Sequence, residues 1–357
     1  MSTILIQGLG CTETGAQIVL RELVLSAPSN AKVFVICNLE TRSLLEGKAP
    51  PNVILIGLSH KIWGRWLRIP LEVFIGFLGL ARLVKTVINL SHYGLCLGGD
   101  YALYIHSPLL MAAEASGGWS EGKSNPVKRW MLNSCIRRAR VICVQTPLMR
   151  DHLEGYCARG SIKPKRVALL LPQVVRADDQ VAEVRLYDFQ VFYPTSRFEH
   201  KRADLAVQGA SEAHRRDKSY GLVITVAASE PVGGVHFLGP VTHAMVHRQF
   251  GVADALLFTS ERETLGLPLL ESLSYGLPVI APRLPYATTL LGDAACYFDQ
   301  PTAEAVAEAI KECRARYDEY SARARERYRY LFGVSSTWPE HWSVLLGRVE
   351  QPAEGAV

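Results

Sequence analysis

Glu263 and Glu271 stand with seven residues between them, on either side of Gly266-Leu267-Pro268. Carboxylates accept hydrogen bonds well from neighbouring hydroxyls. At this spacing both can reach one polyhydroxylated ligand, Glu271 at a ribose-like diol and Glu263 at a second group of hydroxyls. The residues around them read as a buried strand ending near Phe258, a loop holding Gly266, and a helix opening near Pro268. Proline suits a first helical turn, where its missing N–H leaves nothing unpaired. The helix stops at Gly276 and a second buried strand, Val279–Ala281, follows. A strand, a glycine loop and a helix N-terminus in series make an anion site, because unpaired N–H groups point at whatever sits there. A lone Glu in a first helical turn is ordinarily a dipole-favoured residue worth about 0.3–1 kcal/mol. Two in register around such a loop point to a ligand instead.

The elements that must carry this segment alternate between short β-rich runs and longer helical patterns. In the first half the strand candidates are Ile4–Gln7, Lys32–Cys37, Val53–Gly57, Ala102–His106, Val141–Val144 and Val167–Leu171. Helix-period stretches between them include Gln17–Leu25, Asn125–Arg138 and Thr146–Tyr156. A polar stretch over Pro172–Glu183 reads as a linker, and the alternation restarts. Strands are expected at Gln190–Tyr193, Leu222–Ala227, Val235–Leu238 and Ala255–Thr259, with helices over Lys201–Arg215 and Thr302–Arg316. Such alternation predicts two doubly wound parallel-sheet domains facing across a cleft, where strand ends bind ligands. The expected division is 1–175, 186–333, and a tail 334–357 whose Trp338 and Trp342, four apart, pack back on the first domain.

The chain has 357 residues, 48 % hydrophobic and 20 % charged, a composition that excludes disorder and fits two domains. Its eight cysteines form no CxxC pair, so neither a zinc knuckle nor a redox dithiol is signalled. The start, Met-Ser-Thr-Ile-Leu-Ile, reads as a strand and not as a leader, and no run is long enough to span a membrane. The expected location is cytoplasmic, at most peripheral on the inner face of the cytoplasmic membrane. Residues 1–180 hold 21 Lys and Arg against 12 Asp and Glu; the remainder holds 18 against 22. The basic half suits an anionic partner. Lys61 to Lys85 combines Trp63, Trp66, Phe74 and Phe77 with Arg65, Arg68 and Arg82, which fits either an interfacial helix on anionic lipid or a buried helix with solvated ends. No nucleic-acid-binding motif is visible. Gly8-Leu-Gly10 lacks the third glycine of a dinucleotide fingerprint. His243-x3-His247 has helical metal spacing, but no Glu sits beside the first His, so no metal is expected there.

With Tyr275-Gly276-Leu277-Pro278-Val279-Ile280-Ala281 behind it, the Glu263–Glu271 segment resembles the signature of family-4 retaining glycosyltransferases of the GT-B fold. Val235-His-Phe-Leu-Gly239 resembles the family's strand before the donor site, and Leu284-Pro-Tyr-Ala287 followed by Leu291 to Asp299 is similar to the run after it in bacterial surface-polysaccharide members. The resemblance implies a retaining hexosyltransferase that moves a sugar, mannose as the first to consider, from a nucleotide-diphosphate sugar to a glycan or polyprenyl-diphosphate-linked acceptor. O-antigen (lipopolysaccharide), capsule or exopolysaccharide synthesis would be its setting. It implies that Lys201, Arg197 and backbone amides at Leu265, Gly266 and Leu267 meet the donor diphosphate, and that Glu271 holds the ribose and Glu263 the sugar hydroxyls. Lys201 is expected to open the helix after His200; Arg197 matches with a loop one residue shorter. His106, in Tyr104-Ile-His106-Ser-Pro108, would reach the sugar, with Glu263 and Lys201 as the other catalytic groups. Gly15, in Gly15-Ala-Gln17, resembles the family's glycine loop on the donor side, with Gln17 where the family has Glu. No cofactor or metal is implied, since helix N-termini and Lys replace the cation. Two other readings stay open: a GT-B nucleotide- or glycan-binding protein without turnover, and a GT-B sugar-nucleotide epimerase.

Overall fold

The computed structural model describes residues 2–11, 14–59, 70–71, 73–74, 77, 83–90, 100–106, 126–174, 184–228, 230–333 and 337–348. The chain divides into two compact units: Met1–Gln173 with Ser335–Gly355, and a second whose body is Val174–Val334.

In the first unit the strands are β1 (Ser2–Gln7), β2 (Ala31–Asn38), β3 (Val53–Leu58), β4 (Thr86–Asn89), β5 (Asp100–Ile105), β6 (Val141–Val144) and β7 (Val167–Leu169). They form one sheet, order β3-β2-β1-β4-β5-β6-β7, with every pair parallel. Its helices are α1 (Thr14–Leu25), α2 (Leu39–Leu45), α3 (Pro126–Arg138) and α4 (Pro147–Arg159). Alternate residues of each strand serve opposite faces. Ile4, Ile6, Val33 and Val35 enter one core, and Leu5, Ile36, Val87 and Leu103 enter the other. Covering both faces buries strands at every position, as in Thr86–Asn89 and Val141–Val144; the second is apolar throughout, and the first carries buried Thr86 and Asn89 at its ends.

The second unit repeats the plan with β8 (Phe189–Tyr193), α5 (Ala203–Arg216), β9 (Tyr220–Ile224), β10 (Val235–Phe237), α6 (His243–Val252), β11 (Ala255–Leu257), α7 (Leu267–Ser274), β12 (Val279–Pro282), α8 (Pro285–Leu291), β13 (Ala295–Phe298), α9 (Ala303–Ala315) and α10 (Tyr317–Gly333). The sheet order is β10-β9-β8-β11-β12-β13, again all parallel. The strand order reverses between β8 and β11, and in an open parallel sheet a ligand crevice lies at that switch, outside the strands' carboxyl ends. Gly209 lets α5 lie against α9: a Cβ there would come within 2.3 Å of Val306 Cγ1.

The last helix, α11 (Trp338–Leu345), belongs to the first unit. Trp338 and Trp342 are buried in the core of β1, α1 and β2, and Trp342 Nε1 donates to the Leu23 carbonyl at 3.0 Å. Three elements depart from the sequence reading. β4 and β13 are four-residue strands that it did not separate from their surroundings, and α10 is a seventeen-residue helix it did not find. Lys201 does not open a helix. It ends a 3₁₀ turn, Glu199–Lys201, and α5 begins only after Arg202, whose φ of +47° breaks the helical path. The stretch 61–85 lies mostly outside the described residues; within it Phe74 and Phe77 are exposed. Among the described residues no helix is long and apolar enough to cross a membrane.

Candidate active site

Two loops leave the carboxyl ends of the switch-point strands, 194–202 after β8 and 258–266 after β11. They are stitched together by hydrogen bonds. The Tyr193 hydroxyl donates to Lys201 O at 2.7 Å, Thr259 Oγ1 donates to Arg202 O at 2.8 Å, and Glu261 N donates to His200 O at 2.8 Å. Arg202 adds ion pairs to Asp204 and Glu261. The result fixes the backbone of Lys201 against the second loop. Its Nζ then meets Glu263 Oε1 at 2.5 Å, with both side chains largely shielded from solvent. Two residues 62 apart in sequence are thus one ion pair at the crevice. A lysine ammonium carries three donors, so it can keep this carboxylate and still offer protons to a bound anion.

Two buried tyrosines, Tyr193 and Tyr286, feel the Glu263 charge. Tyr286 donates its hydroxyl to Ser260 O, and burial, reinforced by the Glu263 charge, pushes its phenol well above the ordinary value. Burial raises Tyr193 in the same way. Both remain neutral donors at any working pH.

The second loop ends at Gly266, whose φ of +71° only glycine adopts without strain. A Cβ there would lie 2.9 Å from Leu269 Cδ1. Gly266 is the N-cap of α7; Leu267 and Pro268 form its first turn, and Leu265 is buried before it. Within the first turn Pro268 has no N–H and Leu269 N donates to Gly266 O at 2.8 Å, which leaves Leu267 N as the amide with no intrahelical acceptor. Glu271, one turn into α7, is buried, and its Oε1 lies 2.8 Å from His243 Nε2 at the start of α6. The Glu263 and Glu271 carboxylates therefore have different protein partners, a cation for one and an imidazole for the other.

Arg197 sits on the first loop with its guanidinium donating to Ala227 O. It lines an open cleft of about 970 Å³ with Phe198, His200, Arg202, Val226 and Phe237, and neither Lys201 nor the two glutamates line that cleft. The structure brings Lys201 to Glu263 and leaves Arg197 on a neighbouring wall of the same unit. His106 follows β5, and Gly15 lies in the first turn of α1, both in the first unit; Ser107 and Pro108 lie outside the described residues.

Sequence reasoning did not pair His243 with Glu271. The two histidines share a helix, as their spacing suggests, and α7 delivers a carboxylate that is 28 residues away in the chain. The signal available was a second i,i+4 pair, Glu271 and Tyr275: His247 Nδ1 lies 3.0 Å from the Tyr275 hydroxyl. His243, His247 and Glu271 offer ligand atoms within 4.8 Å of one another, a set that could hold a metal ion. Closing it on an ion would require opening the His243–Glu271 hydrogen bond.

No curated protein sequence matches the chain. A family model described as glycosyl transferases group 1 matches residues 195–329, which include the Lys201 loop, the Glu263 loop and all of α7. Solved structures with a similar fold include sucrose-phosphate synthase from Thermosynechococcus elongatus (TM-score 0.68, 14 % identity, 98 % of both chains). A glycosyltransferase from Rickettsia africae is similar at TM-score 0.70, 13 % identity, over 98 % of this chain and 99 % of that one. Anabaena HepE, in complex with UDP and glucose, is similar at TM-score 0.72 and 14 % identity, over 98 % of this chain and 100 % of that one. The two parallel sheets match the fold of GT-B glycosyltransferase structures, and the match to the glycosyl transferases group 1 model falls within the second unit.

Proposed function

We propose that the chain is a retaining glycosyltransferase that moves a hexosyl group from a nucleoside-diphosphate sugar to a glycan or polyprenyl-diphosphate-linked acceptor. Building a surface polysaccharide is the setting the motif resemblance suggests, and mannose is the first sugar to test. The observation that carries the reading is the Lys201–Glu263 pair, held across the β8/β11 switch beside the α7 N-terminus.

In this reading the second unit binds the donor. Glu271 accepts from the ribose and Glu263 from the sugar hydroxyls. Lys201 and the amides of Leu265, Gly266 and Leu267 take up charge on the departing diphosphate, and Arg197 joins them only by releasing the Ala227 carbonyl. Fixed donors aimed at developing charge are the main source of such acceleration. They also let the site work without a divalent metal or other cofactor. His106 of the first unit is assigned to the transferred sugar by the motif resemblance. HepE was solved with UDP and with UDP-glucose, which makes UDP the first nucleotide to test beside GDP and ADP.

The test is to incubate the protein with UDP-glucose and GDP-mannose together with bacterial lipid-linked oligosaccharide extract, and to follow released nucleoside diphosphate and the product anomer by proton NMR. Transfer with the donor's anomeric configuration kept, and lost in Glu263→Gln, supports the proposal. An inverted product refutes the retaining assignment. Binding with neither transfer nor hydrolysis makes the chain a GT-B binding protein, and donor rearrangement without acceptor makes it an epimerase.

A further inference from the structure

We infer that His243 is a positioning residue: it fixes the Glu271 carboxylate so that the site selects ribonucleotides over nucleotides lacking the ribose hydroxyls. The inference rests on the donor-site reading of Glu271 given above.

A glutamate side chain has three rotatable bonds, and a carboxylate free to turn must be ordered when ligand arrives, at a cost in affinity. Glu271 is not free to turn. His243 Nε2–H donates to its Oε1 at 2.8 Å, while among the described residues Oε2 has no hydrogen bond. One oxygen is held and the other is left for an incoming hydroxyl.

The imidazole is itself braced. His243 is the first residue of α6, where Thr242 accepts from Met245 N and fixes the helix start. The His247 ring lies edge-on to it, centroids 4.5 Å apart. His247 is buried and lies 3.0 Å from the Tyr275 hydroxyl, and Tyr275 stacks on Phe250 with 5.7 Å between centroids. α6 and α7 are therefore joined by two polar contacts, His243–Glu271 and His247–Tyr275, each one helical turn from the other. Residues four apart share a face, so the two contacts reinforce one another. A lone exposed histidine would not hold a carboxylate this way; one locked in such a ladder does, as precise sites require.

The experiment measures a ratio: the affinity for the nucleoside diphosphate the protein binds best, divided by that for its 2′,3′-dideoxy analogue, by calorimetry with EDTA present. General damage to the site lowers both affinities and leaves the ratio alone. Wild type is expected to favour the ribonucleotide by about tenfold or more, as for loss of a hydrogen bond to a charged group. Glu271→Ala should bring the ratio near one, and His243→Leu should lower it to within roughly threefold of unity by freeing the carboxylate. His243→Gln places an amide N–H where Nε2 stood and should restore the wild-type ratio. A wild-type ratio in His243→Leu, with Glu271→Ala near one, overturns the role of His243 and leaves the donor-site reading standing. A ratio in His243→Gln as low as in His243→Leu also overturns it. An unchanged ratio in Glu271→Ala, or no nucleotide bound by wild type, overturns the donor-site reading and this inference with it.

Discussion

Acid should loosen the helix that closes the first unit, through His341. The imidazole lies on α11 with no exposed surface, edge-on to Trp338 at 4.7 Å. Among the described residues neither ring nitrogen makes a hydrogen bond, although the Leu171 carbonyl lies near enough to pull weakly against the effect of burial. Burial disfavours the imidazolium and lowers the pKa from 6.5 to about 4. The folded state thus binds fewer protons than the unfolded state between these values. Stability is intact above pH 6.5 and falls as the pH drops toward 4. At about 1.4 kcal/mol per unit, acidification from pH 7.5 to pH 4.5 costs about 2–3 kcal/mol through this one group. His341→Leu nearly keeps the volume and removes both unpaired nitrogens, so it should match or exceed wild type at pH 7.5. The assay is urea unfolding followed by tryptophan fluorescence at both pH values, with carboxylates common to both proteins cancelling in the difference. The variant should lose about 2–3 kcal/mol less than wild type on acidification. Equal losses would refute the argument.

Two perturbations probe the site directly. Lys201→Met removes the cation and leaves the shielded Glu263 carboxylate without its partner; kcat for transfer should fall about 10²–10³-fold, measured as nucleotide release. Gly266→Ala imposes a Cβ at φ +71° and 2.9 Å from Leu269, and should lower stability by about 1–2 kcal/mol in thermal unfolding and weaken nucleotide binding with it.

Much of this was legible in the chain because periodicity and local chemistry carry it. Strands such as Val141–Val144 and Val279–Pro282 are buried on both faces, and they read as continuous apolar runs. The left-handed Gly266 and the proline after it marked the loop-to-helix turn. Trp338 and Trp342 revealed their shared buried face by spacing alone. β4 and β13 are no shorter than those two strands, but β4 is bounded by polar Thr86 and Asn89 and β13 opens on Ala295, so neither reads as a run of β-branched apolar residues. α10 was missed because its run Tyr317–Gly333 is rich in Arg and Glu, and only Tyr320, Ser321, Ala324 and Leu331 are buried. The site itself depends on pairings that sequence distance hides. Lys201 and Glu263 lie 62 residues apart, and only the sheet order makes their loops neighbours. His243 and Glu271 meet because α6 and α7 pack side by side, which neither helix states alone. Arg197 stood in the right loop, yet its guanidinium turns to Ala227.

The central claim is that the second unit is a donor site built around Lys201, Glu263 and Glu271. It is tested most directly by calorimetric titration with UDP, GDP and ADP, using wild type and Glu271→Ala. The account predicts that one of the three binds, and that the variant binds it about tenfold or more weakly, as loss of a hydrogen bond to a charged group requires. Folded protein that binds none of them, or a Glu271→Ala variant that binds as wild type does, would contradict it.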